Sequence, residues 1–293
     1  MNSFVELISK GYIREQIVSA GGGIWSIVLA EALCAIIGYL FGSINTALIV
    51  SRAFYGSDVR EYGSGNAGMT NMFRTYGSKA GVFTLLGDMA KAAIGVFIAM
   101  LLMGQPAGYI AGLACMIGHT FPVFFGFRGG KGVVVAATTI LVVDPPVFLC
   151  VIAIFIGAVM ITKIMSVGSI TAAFFFPMIQ YAFHIQRPYF PTVVCSILMC
   201  CFVIAAHRPN IQRLLKKEEK QFSFRSRPLI TANADVLEPV RQDKAVGPYN
   251  SGISVGTAPK SYPARTGIKD PNSSKKKNKK SKMKKNKKDG KKF

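Results

Sequence analysis

Acidic residues, histidines and paired cysteines are scarce in this chain. Its 293 residues include 14 Asp and Glu, three His and six Cys. The cysteines form no C-x-x-C pair, and no histidine has a ligand-type neighbour at metal-binding spacing. We therefore expect reduced cysteines without a disulfide framework, and the pattern argues against a zinc site.

Charged residues are also missing from long stretches of the sequence. Apolar residues make up 51% of the chain and charged residues 17%, and roughly 20 consecutive apolar residues span a bilayer. Apolar stretches cover residues 24–50, 81–103, 108–126, 132–143, 147–163, 167–184 and 189–206. They predict an all-α integral membrane protein with about seven transmembrane helices. The fourth stretch is too short for an ordinary span, so it forms either a tilted short helix or part of one broken segment over 132–163.

Basic residues outnumber acidic ones, but they are concentrated at the end of the chain. From Lys260 onwards there are 15 Lys and Arg against Asp270 and Asp289. Such a low-complexity run has nothing to bury, so we expect a disordered, solvated tail over residues 223–293. Binding of this tail to anionic lipid headgroups is an alternative, whereas a nucleic-acid partner is not expected. Residues 1–23 are expected to form an extracytoplasmic segment without a removable signal peptide, which leaves residues 24–222 as the membrane-embedded domain.

The basic residues of the short loops indicate the orientation. The turns at one end of the predicted spans contain Arg52, Arg60, Arg74, Lys79, Arg128, Lys131 and Lys163. By the positive-inside rule these turns face the cytoplasm, with the N-terminus outside and the C-terminal tail inside. Polar residues 42–79, 118–132 and 207–222 then converge on the cytoplasmic side of the membrane.

The first polar stretch contains the run GSGNAG at residues 63–68, which fits the G-x-G-x-x-G pattern of dinucleotide-binding proteins. That interpretation fails because a predicted membrane helix, not a β-strand, precedes the motif. Glycines still allow turns that point backbone N–H groups at an anion. Asn66, Thr70 and Arg74 follow at helical spacing and predict a polar stripe on a short helix, with Asn71 beside it. A flexible loop with an ordinary polar helix is the alternative.

The second polar stretch ends in a basic, glycine-rich turn, FRGGKG, at residues 127–132. It lacks two requirements of a Walker loop. It precedes an apolar helix, and the N-terminus of a helix favours anions. Arg128 and Lys131 add positive charge, although a plain positive-inside anchor would explain these charges too. His119 belongs either to this anion site or to a hydrogen-bonded interface without a chemical role.

The third polar stretch places His207, Asn210 and Arg213 on roughly one face of a helix that leaves the last span. An amphipathic interfacial helix is the alternative. At the inner end of the first span, Ser43 either joins the site or donates back to a carbonyl one turn earlier. Asp88 and Lys91 are costly in lipid and should face the bundle interior, as a structural pair or as part of the site.

These stretches resemble the three motifs of the bacterial acyl-phosphate-dependent glycerol-3-phosphate acyltransferases. The resemblance covers residues 25–222 in the same order and spacing. It implies a bacterial cytoplasmic membrane protein that transfers a fatty acyl group from acyl phosphate to the 1-hydroxyl of glycerol 3-phosphate. The products would be lysophosphatidic acid and phosphate, without a metal or cofactor. Membrane lipid and a peripheral enzyme that forms acyl phosphate are the further partners it implies.

The resemblance also implies roles for individual residues. The motifs assign to the site Ser43, Arg60, Asn66, Thr70, Asn71, Arg74, His119, Gly129, Gly130, Lys131, Gly132, His207, Asn210 and Glu219. We expect Ser43, Arg60, Lys131, His207 and Asn210 to take part in catalysis and the others to bind substrate. Because Lys217-Glu218 replaces the usual Gly-Thr, the choice of Glu219 over Glu218 stays open.

Two questions of mechanism remain open from the sequence. The hydroxyl proton is accepted either by His207 or by the phosphate of the substrate, and the absence of a visible His–carboxylate pair favours the phosphate. No histidine begins the H-x-x-x-x-D motif of acyl-CoA-dependent acyltransferases, so that class is excluded. The alternative from another class is a multi-pass transporter of an anionic phosphorylated metabolite.

Overall fold

The computed structural model describes residues 2–186, 190–221 and 229, although not the side chains of residues 2–5. These residues belong to one compact unit. They form helices and no strand, as expected. The α-helices are α1 Asn2–Lys10, α2 Tyr12–Ser19, α3 Ile24–Ser43, α4 Thr46–Tyr55, α5 Met69–Tyr76, α6 Ser78–Met103, α7 Gln105–Thr120, α8 Val133–Val143, α9 Pro145–Thr162, α10 Met165–Phe183, α11 Phe190–Ala206 and α12 Arg208–Leu215. The predicted tail, residues 223–293, lies outside the described residues apart from Leu229.

The apolar helices are long enough to cross a bilayer in most of the predicted places. Within the described residues there are five such spans, or six if α11 and α12, which are bent by 55°, count as one. Helix α8 has only 11 residues, as the short fourth stretch predicted. Asp144 alone separates α8 from α9, which begins with Pro145 and Pro146, so 132–163 is not one continuous helix. Seven crossings and the orientation of the termini stay predictions.

The first span contains a break that its composition did not predict. The expected helix over 24–50 ends at Ser43, because Ile44 is extended, and α4 begins at Thr46. Asn45 makes the break stable, since its Oδ1 accepts a hydrogen bond from the Leu48 N–H, 3.1 Å away, as an N-cap. The first polar stretch therefore starts on a separate short helix.

Close packing of α3 on α7 brings the first two polar stretches together. A Cβ built on Gly38 would lie 2.2 Å from the Ala111 carbonyl oxygen, and one on Gly118 would lie 2.2 Å from that of Tyr39. Any side chain at these positions would force the two helices apart. The last turns of α3 and α7 consequently lie side by side, next to α6.

The N-terminal segment is helical. Helices α1 and α2 pack near the junction of α6 and α7, where Gly11 meets Gly104. A Cβ on Gly11 would lie 2.2 Å from the Gly104 nitrogen. That residues 1–23 are extracytoplasmic stays a prediction.

Candidate active site

The first glycine turn is organised by Asn71 of α5. Its Nδ2 donates to the carbonyls of Val59 and Tyr62 at 3.1 and 3.0 Å, and its Oδ1 accepts from the Ser64 N–H at 2.9 Å. Asn71 is buried, with 2% of its surface exposed. It was predicted to bind substrate, but the structure uses its whole amide to hold the turn.

Arg60 joins the first polar stretch to the second. Its Nε and Nη2 donate to the two oxygens of Asp58, at 3.0 and 2.7 Å, and its Nη1 donates to the carbonyls of Phe125 and Arg128, at 3.0 and 2.9 Å. Although burial raises the pKa of Asp58, hydrogen bonds from Arg60 and Arg52 outweigh it and hold that pKa below its ordinary value. Arg60 therefore positions the two loops against each other.

The predicted polar stripe of Asn66, Thr70 and Arg74 is only partly correct. Helix α5 begins at Met69, so Thr70 and Arg74 share it, whereas Asn66 lies in the loop before it. Helical spacing failed at Asn66 because the chain is still in the glycine turn, which ends at the extended Gly68. Arg74 has no carboxylate within ion-pair distance in the described part of the chain.

The second glycine turn closes the end of α7 and opens α8. The Gly129 N–H donates to the Thr120 carbonyl and the Gly130 N–H to the His119 carbonyl, each at 3.0 Å. These two N–H groups are thus used inside the turn, and the binding of substrate by Gly129 and Gly130 stays a prediction. Gly132, in the left-handed region at φ 77°, is the N-cap of α8. The unpaired N–H groups of the first turn of α8 remain available to an anion.

Lys131 joins the second polar stretch to the third. Its Nζ donates to Asn210 Oδ1 at 2.5 Å, and Asn210 Nδ2 donates to Glu219 Oε1 at 2.6 Å. Glu219 also accepts from Arg213 Nε at 2.6 Å and from Ser166 Oγ at 3.0 Å. The Lys131 cluster is our name for Lys131, Asn210, Arg213 and Glu219, together with Arg74.

The Lys131 cluster carries more positive than negative charge. Burial is the main cause that lowers the pKa of Lys131 to about 8; Glu219 opposes this shift, and the positive charges of Arg213 and Arg74 add to it. Burial raises the pKa of Glu219, but hydrogen bonds from Arg213, Asn210 and Ser166 hold it below its ordinary value. With Glu219 ionised, three cations meet one carboxylate, which is the arrangement expected of a site for an anion.

Ser43 and His207 are both buried and hydrogen-bonded to backbone. The Ser43 hydroxyl donates to the Tyr39 carbonyl at 2.9 Å, which is the back-bonded arrangement weighed from the sequence. His207, at the bend between α11 and α12, contacts the Val203 carbonyl through Nδ1 at 2.8 Å. Because a carbonyl only accepts, Nδ1 carries the proton and Nε2 of the neutral ring is left as an acceptor.

A second group of ionisable side chains lies deeper, between α6, α7 and the end of α3. Lys91 Nζ lies 2.9 Å from Asp88 Oδ1 and 2.9 Å from His119 Nδ1, and it donates to the carbonyls of Gly42 and Ile44. The Lys91 cluster is our name for Asp88, Lys91 and His119. Its two charges balance, and all three side chains are buried, as expected of groups that face the bundle interior.

An apolar cavity of about 360 Å³ adjoins the Lys131 cluster. Its walls come from the start of α5, from α6 and from α8 to α11, and they extend from Met69, Val133 and Met165 to Leu141 and Phe176. Met69 precedes Thr70, Val133 follows Gly132, and Met165 precedes Ser166. The cavity therefore begins beside the charged groups and continues into the bundle along almost the whole length of α8.

Comparison with known proteins decides the family. The family model described as glycerol-3-phosphate acyltransferase matches residues 32–217. The chain belongs to the glycerol-3-phosphate acyltransferase family. The acyltransferase of Geobacillus kaustophilus is 38% identical over 193 residues, which cover 66% of this chain and 96% of that protein. The acyltransferase of Geobacter sulfurreducens is 40% identical over 196 residues, which cover 67% and 99%.

Solved structures of a glycerol-3-phosphate acyltransferase share the fold. The crystal structure of PlsY (YgiH), an integral membrane acyltransferase, in its glycerol 3-phosphate form is 34% identical, with a TM-score of 0.60 over 66% of this chain and 96% of that one. Its lysophosphatidic acid form gives the same TM-score at 31% identity. The present chain is thus an integral membrane acyltransferase of glycerol 3-phosphate, as the resemblance implied.

Three residues of this acyltransferase site escaped sequence reasoning. Asn45 caps α4 and also donates to the Ala67 carbonyl at 3.5 Å, Asp58 holds Arg60, and Ser166 donates to Glu219. Asn45 and Asp58 lie inside the first motif, so their polar side chains beside buried neighbours were a usable signal. Ser166 had none, since it begins an apolar helix 53 residues before its partner.

Proposed function

We propose that this acyltransferase takes its acyl group from acyl phosphate and transfers it to the 1-hydroxyl of glycerol 3-phosphate. Lysophosphatidic acid and inorganic phosphate are the products. One observation carries the proposal: a cluster with excess positive charge lies at the start of a cavity with apolar walls. An acyl phosphate has the same two parts, a fatty chain and an anionic head joined at the reacting carbonyl.

The proposed binding mode follows from the position of the two parts. The acyl chain enters the cavity between α8 and α10, and its phosphate lies near Lys131 and the first turn of α8. Lys131, Arg74 and the helix N-terminus stabilise the negative charge that grows on the departing phosphate. Glycerol 3-phosphate is held by Asn210, which Glu219 and Lys131 orient. Mixed anhydrides already have a good leaving group, so orientation and charge stabilisation are the main requirements.

Removal of the hydroxyl proton is assigned to the phosphate of glycerol 3-phosphate. A phosphate ester has a second pKa of about 6, so its dianion is an adequate base near neutral pH. His207 is the competing base, since its Nε2 is an acceptor. His207→Asn retains a donor for the Val203 carbonyl and separates the two. We expect it to lower kcat less than tenfold, whereas loss of a general base costs about 100- to 10,000-fold.

Ser43 is retained as a candidate donor to the acyl carbonyl. Its hydroxyl would have to exchange the Tyr39 carbonyl for the substrate oxygen during the reaction. Thr70 and Asn66 are retained as polar groups on the same side as the Lys131 cluster. Arg60 and Asn71 are assigned a positioning role, because Arg60 uses its donors to join the two loops and Asn71 uses its amide to hold the first one.

The transporter alternative conflicts with the walls of the cavity. Of the residues that line it, only Thr138 and Ser169 carry a hydroxyl and none carries a charge, and Thr138 donates to its own helix at 2.8 Å. A phosphorylated metabolite would have to leave water without compensating contacts. A fatty chain loses nothing on entering such walls.

We further propose that the site faces the cytoplasm. The basic turns contain Arg60, Arg128 and Lys131, and the positive-inside rule puts them there. Residues 223–293 would then form a solvated cytoplasmic tail, and residues 1–23 would lie outside. Single cysteines are introduced as Ser3→Cys and Ser251→Cys into a variant without native cysteines, and intact cells are treated with an impermeant thiol reagent. We expect labelling of Ser3→Cys alone, and labelling of Ser251→Cys alone would reverse the orientation.

The donor is tested with purified protein in detergent. Palmitoyl phosphate or palmitoyl-CoA is supplied with glycerol 3-phosphate, and lysophosphatidic acid and released phosphate are measured together. We expect equal amounts of both products from palmitoyl phosphate and none from palmitoyl-CoA, with Ser43→Ala and Asn210→Ala losing activity. Turnover from palmitoyl-CoA alone would overturn the assignment of the donor.

A further inference from the structure

Lys91 directs all its hydrogen-bond donors at defined acceptors. Its Nζ donates to the Gly42 and Ile44 carbonyls at 3.1 and 2.6 Å, and it lies 2.9 Å from His119 Nδ1. An ammonium group has three N–H donors, so these contacts use all of them. Asp88 Oδ1, 2.9 Å away, accepts no hydrogen bond in the described structure and pairs with Lys91 by charge alone.

These contacts fix the tautomer of His119. Because a lysine ammonium only donates, His119 Nδ1 must accept and cannot carry a proton. A neutral imidazole with an unprotonated Nδ1 carries its proton on Nε2. The ring is buried, with 4% of its surface exposed, so it has no bulk water with which to exchange these roles.

The protonated nitrogen of His119 faces the second glycine turn. A Cβ built on Gly130 would lie 2.1 Å from Nε2, so only a glycine leaves this approach open. No acceptor for Nε2 is found among residues 2–186, 190–221 and 229. Gly130 immediately precedes Lys131, which belongs to the charged cluster. The N–H therefore lies against the glycine turn that leads to the proposed phosphate site.

We propose that Lys91 is a positioning residue that holds His119 as an Nε2–H donor for a phosphate group of a substrate. The proposal rests on the function proposed above and adds a residue that never touches the substrate. Asp88 balances the charge of Lys91, so the Lys91 cluster provides the neutral N–H donor of His119 without adding net positive charge. The phosphate belongs either to acyl phosphate or to glycerol 3-phosphate.

A purely structural role for Lys91 has to be separated from this one. Its bonds to Gly42 and Ile44 also satisfy carbonyls at the end of α3, where a helix lacks internal donors. A Lys91→Met variant loses both functions, so reduced activity alone decides nothing. The tautomer of His119 is the property that a structural role would leave unchanged.

The tautomer is measured by ¹⁵N NMR on protein labelled at its histidines, reconstituted in lipid. His119→Gln assigns the signal among the three histidines. We expect the wild-type ring to show an unprotonated Nδ1 and a protonated Nε2, and Lys91→Met to show the Nδ1–H form or a mixture. Lys79→Met, an exposed lysine at the start of the same helix, is the control. An Nδ1–H wild type, or an unchanged tautomer in Lys91→Met, would overturn the proposal.

Two ligands distinguish the source of the phosphate. Inorganic phosphate stands for the leaving group, and glycerol 3-phosphate stands for the acceptor. We expect one of them to shift the Nε2 signal of the wild type at saturation, and to shift it less in Lys91→Met. If neither ligand moves the signal while both bind, His119 does not contact phosphate.

Kinetics provide an independent test. Lys91→Met should lower kcat/KM at least tenfold, since a hydrogen bond to a charged group accounts for roughly a 10- to 100-fold effect. His119→Gln keeps a donor near the Nε2 position, and a glutamine side chain has no tautomers. Adding Lys91→Met to this variant should therefore lower kcat/KM by less than threefold. Equal effects of Lys91→Met in both backgrounds would contradict coupling through His119. Complete inactivity of the wild type would instead reject the proposed function, and the NMR result would stand unaffected.

Discussion

The charges of the Lys91 cluster are buried and those of the Lys131 cluster are half-buried, and the two clusters also differ in charge balance. In the first, Asp88 and Lys91 cancel, and every Lys91 donor ends on a protein acceptor. In the second, Lys131, Arg74 and Arg213 surround the single carboxylate of Glu219. A balanced cluster holds the helices in place, whereas an unbalanced one needs an anion from outside to complete it.

The comparison also explains why the apolar cavity has functional meaning. It begins beside the unbalanced cluster, at Met69, Val133 and Met165. Apolar walls beside excess positive charge match a molecule with a fatty chain and an anionic head. The balanced cluster lies next to the break between α3 and α4, and there it supports the backbone.

The largest effect is expected from a substitution that removes the negative charge of the balanced cluster. Asp88→Asn leaves Lys91 charged and without its counterion, so we expect the free energy of unfolding to fall by about 3–5 kcal/mol. Thermal unfolding in detergent measures it. Glu61→Gln removes an exposed carboxylate and should change stability by less than about 0.5 kcal/mol. Similar stability of Asp88→Asn and Glu61→Gln would mean that the Asp88–Lys91 pair does not hold the fold.

The next effect concerns the unbalanced cluster. Lys131→Met removes a cation that is proposed to stabilise the departing phosphate, so we expect kcat to fall by about 100- to 1,000-fold. Its unfolding temperature should stay near that of the wild type, because the remaining charges are better balanced. Lys216→Met, at an exposed position after α12, is the control and should retain full activity. Normal turnover of Lys131→Met would show that Lys131 does not stabilise the departing phosphate.

Substitutions of two adjacent glutamates, Glu218 and Glu219, test whether the carboxylate inside the unbalanced cluster is the one that matters for activity. Glu219→Gln weakens the bonds to Arg213 and Asn210, and we expect kcat/KM to fall by roughly 10- to 100-fold. Glu218 is exposed, and Glu218→Gln should behave like the wild type. Assays of both variants at saturating and limiting glycerol 3-phosphate check this. The reverse order of effects would show that the wrong carboxylate was chosen.

The smallest expected effect is the dependence on pH. Burial and neighbouring cations lower the pKa of Lys131 to about 8, so the lysine is charged below that pH and loses its proton as the pH rises through it. We expect kcat/KM to fall about fivefold between pH 8 and pH 9, as the cation needed for phosphate binding disappears. Lys131→Arg, whose guanidinium keeps its charge throughout, should move this fall out of the measured range. An unchanged profile in Lys131→Arg would assign the transition to another group.

Much of this architecture follows from local sequence features. Apolar length located the spans, and Asp144 with its prolines ended the short α8. The polar stretches at helix ends identified Lys131, Asn210 and Glu219 as candidates. Those features are predictable because each depends on residues that are neighbours in the chain.

The remaining features depend on contacts between distant residues. The local sequence does not show which of Glu218 and Glu219 belongs to the site. Glu219 is distinguished only by the hydrogen bonds that it accepts from Ser166 and Arg213 in the folded chain. The contact of Lys91 with His119 joins positions 28 residues apart on different helices. The hydrogen bonds of the second glycine turn were not predictable for a similar reason, since the end of α7 accepts the N–H groups of Gly129 and Gly130.

The most direct test of the account is equilibrium binding of radiolabelled glycerol 3-phosphate to the purified, folded protein. We expect saturable binding by the wild type, binding at least tenfold weaker in Lys131→Met, and wild-type binding in Lys216→Met. That outcome would establish the Lys131 cluster as the anion site. Equal affinity of Lys131→Met and the wild type would contradict the account, because the unbalanced charge would then not be what binds the substrate.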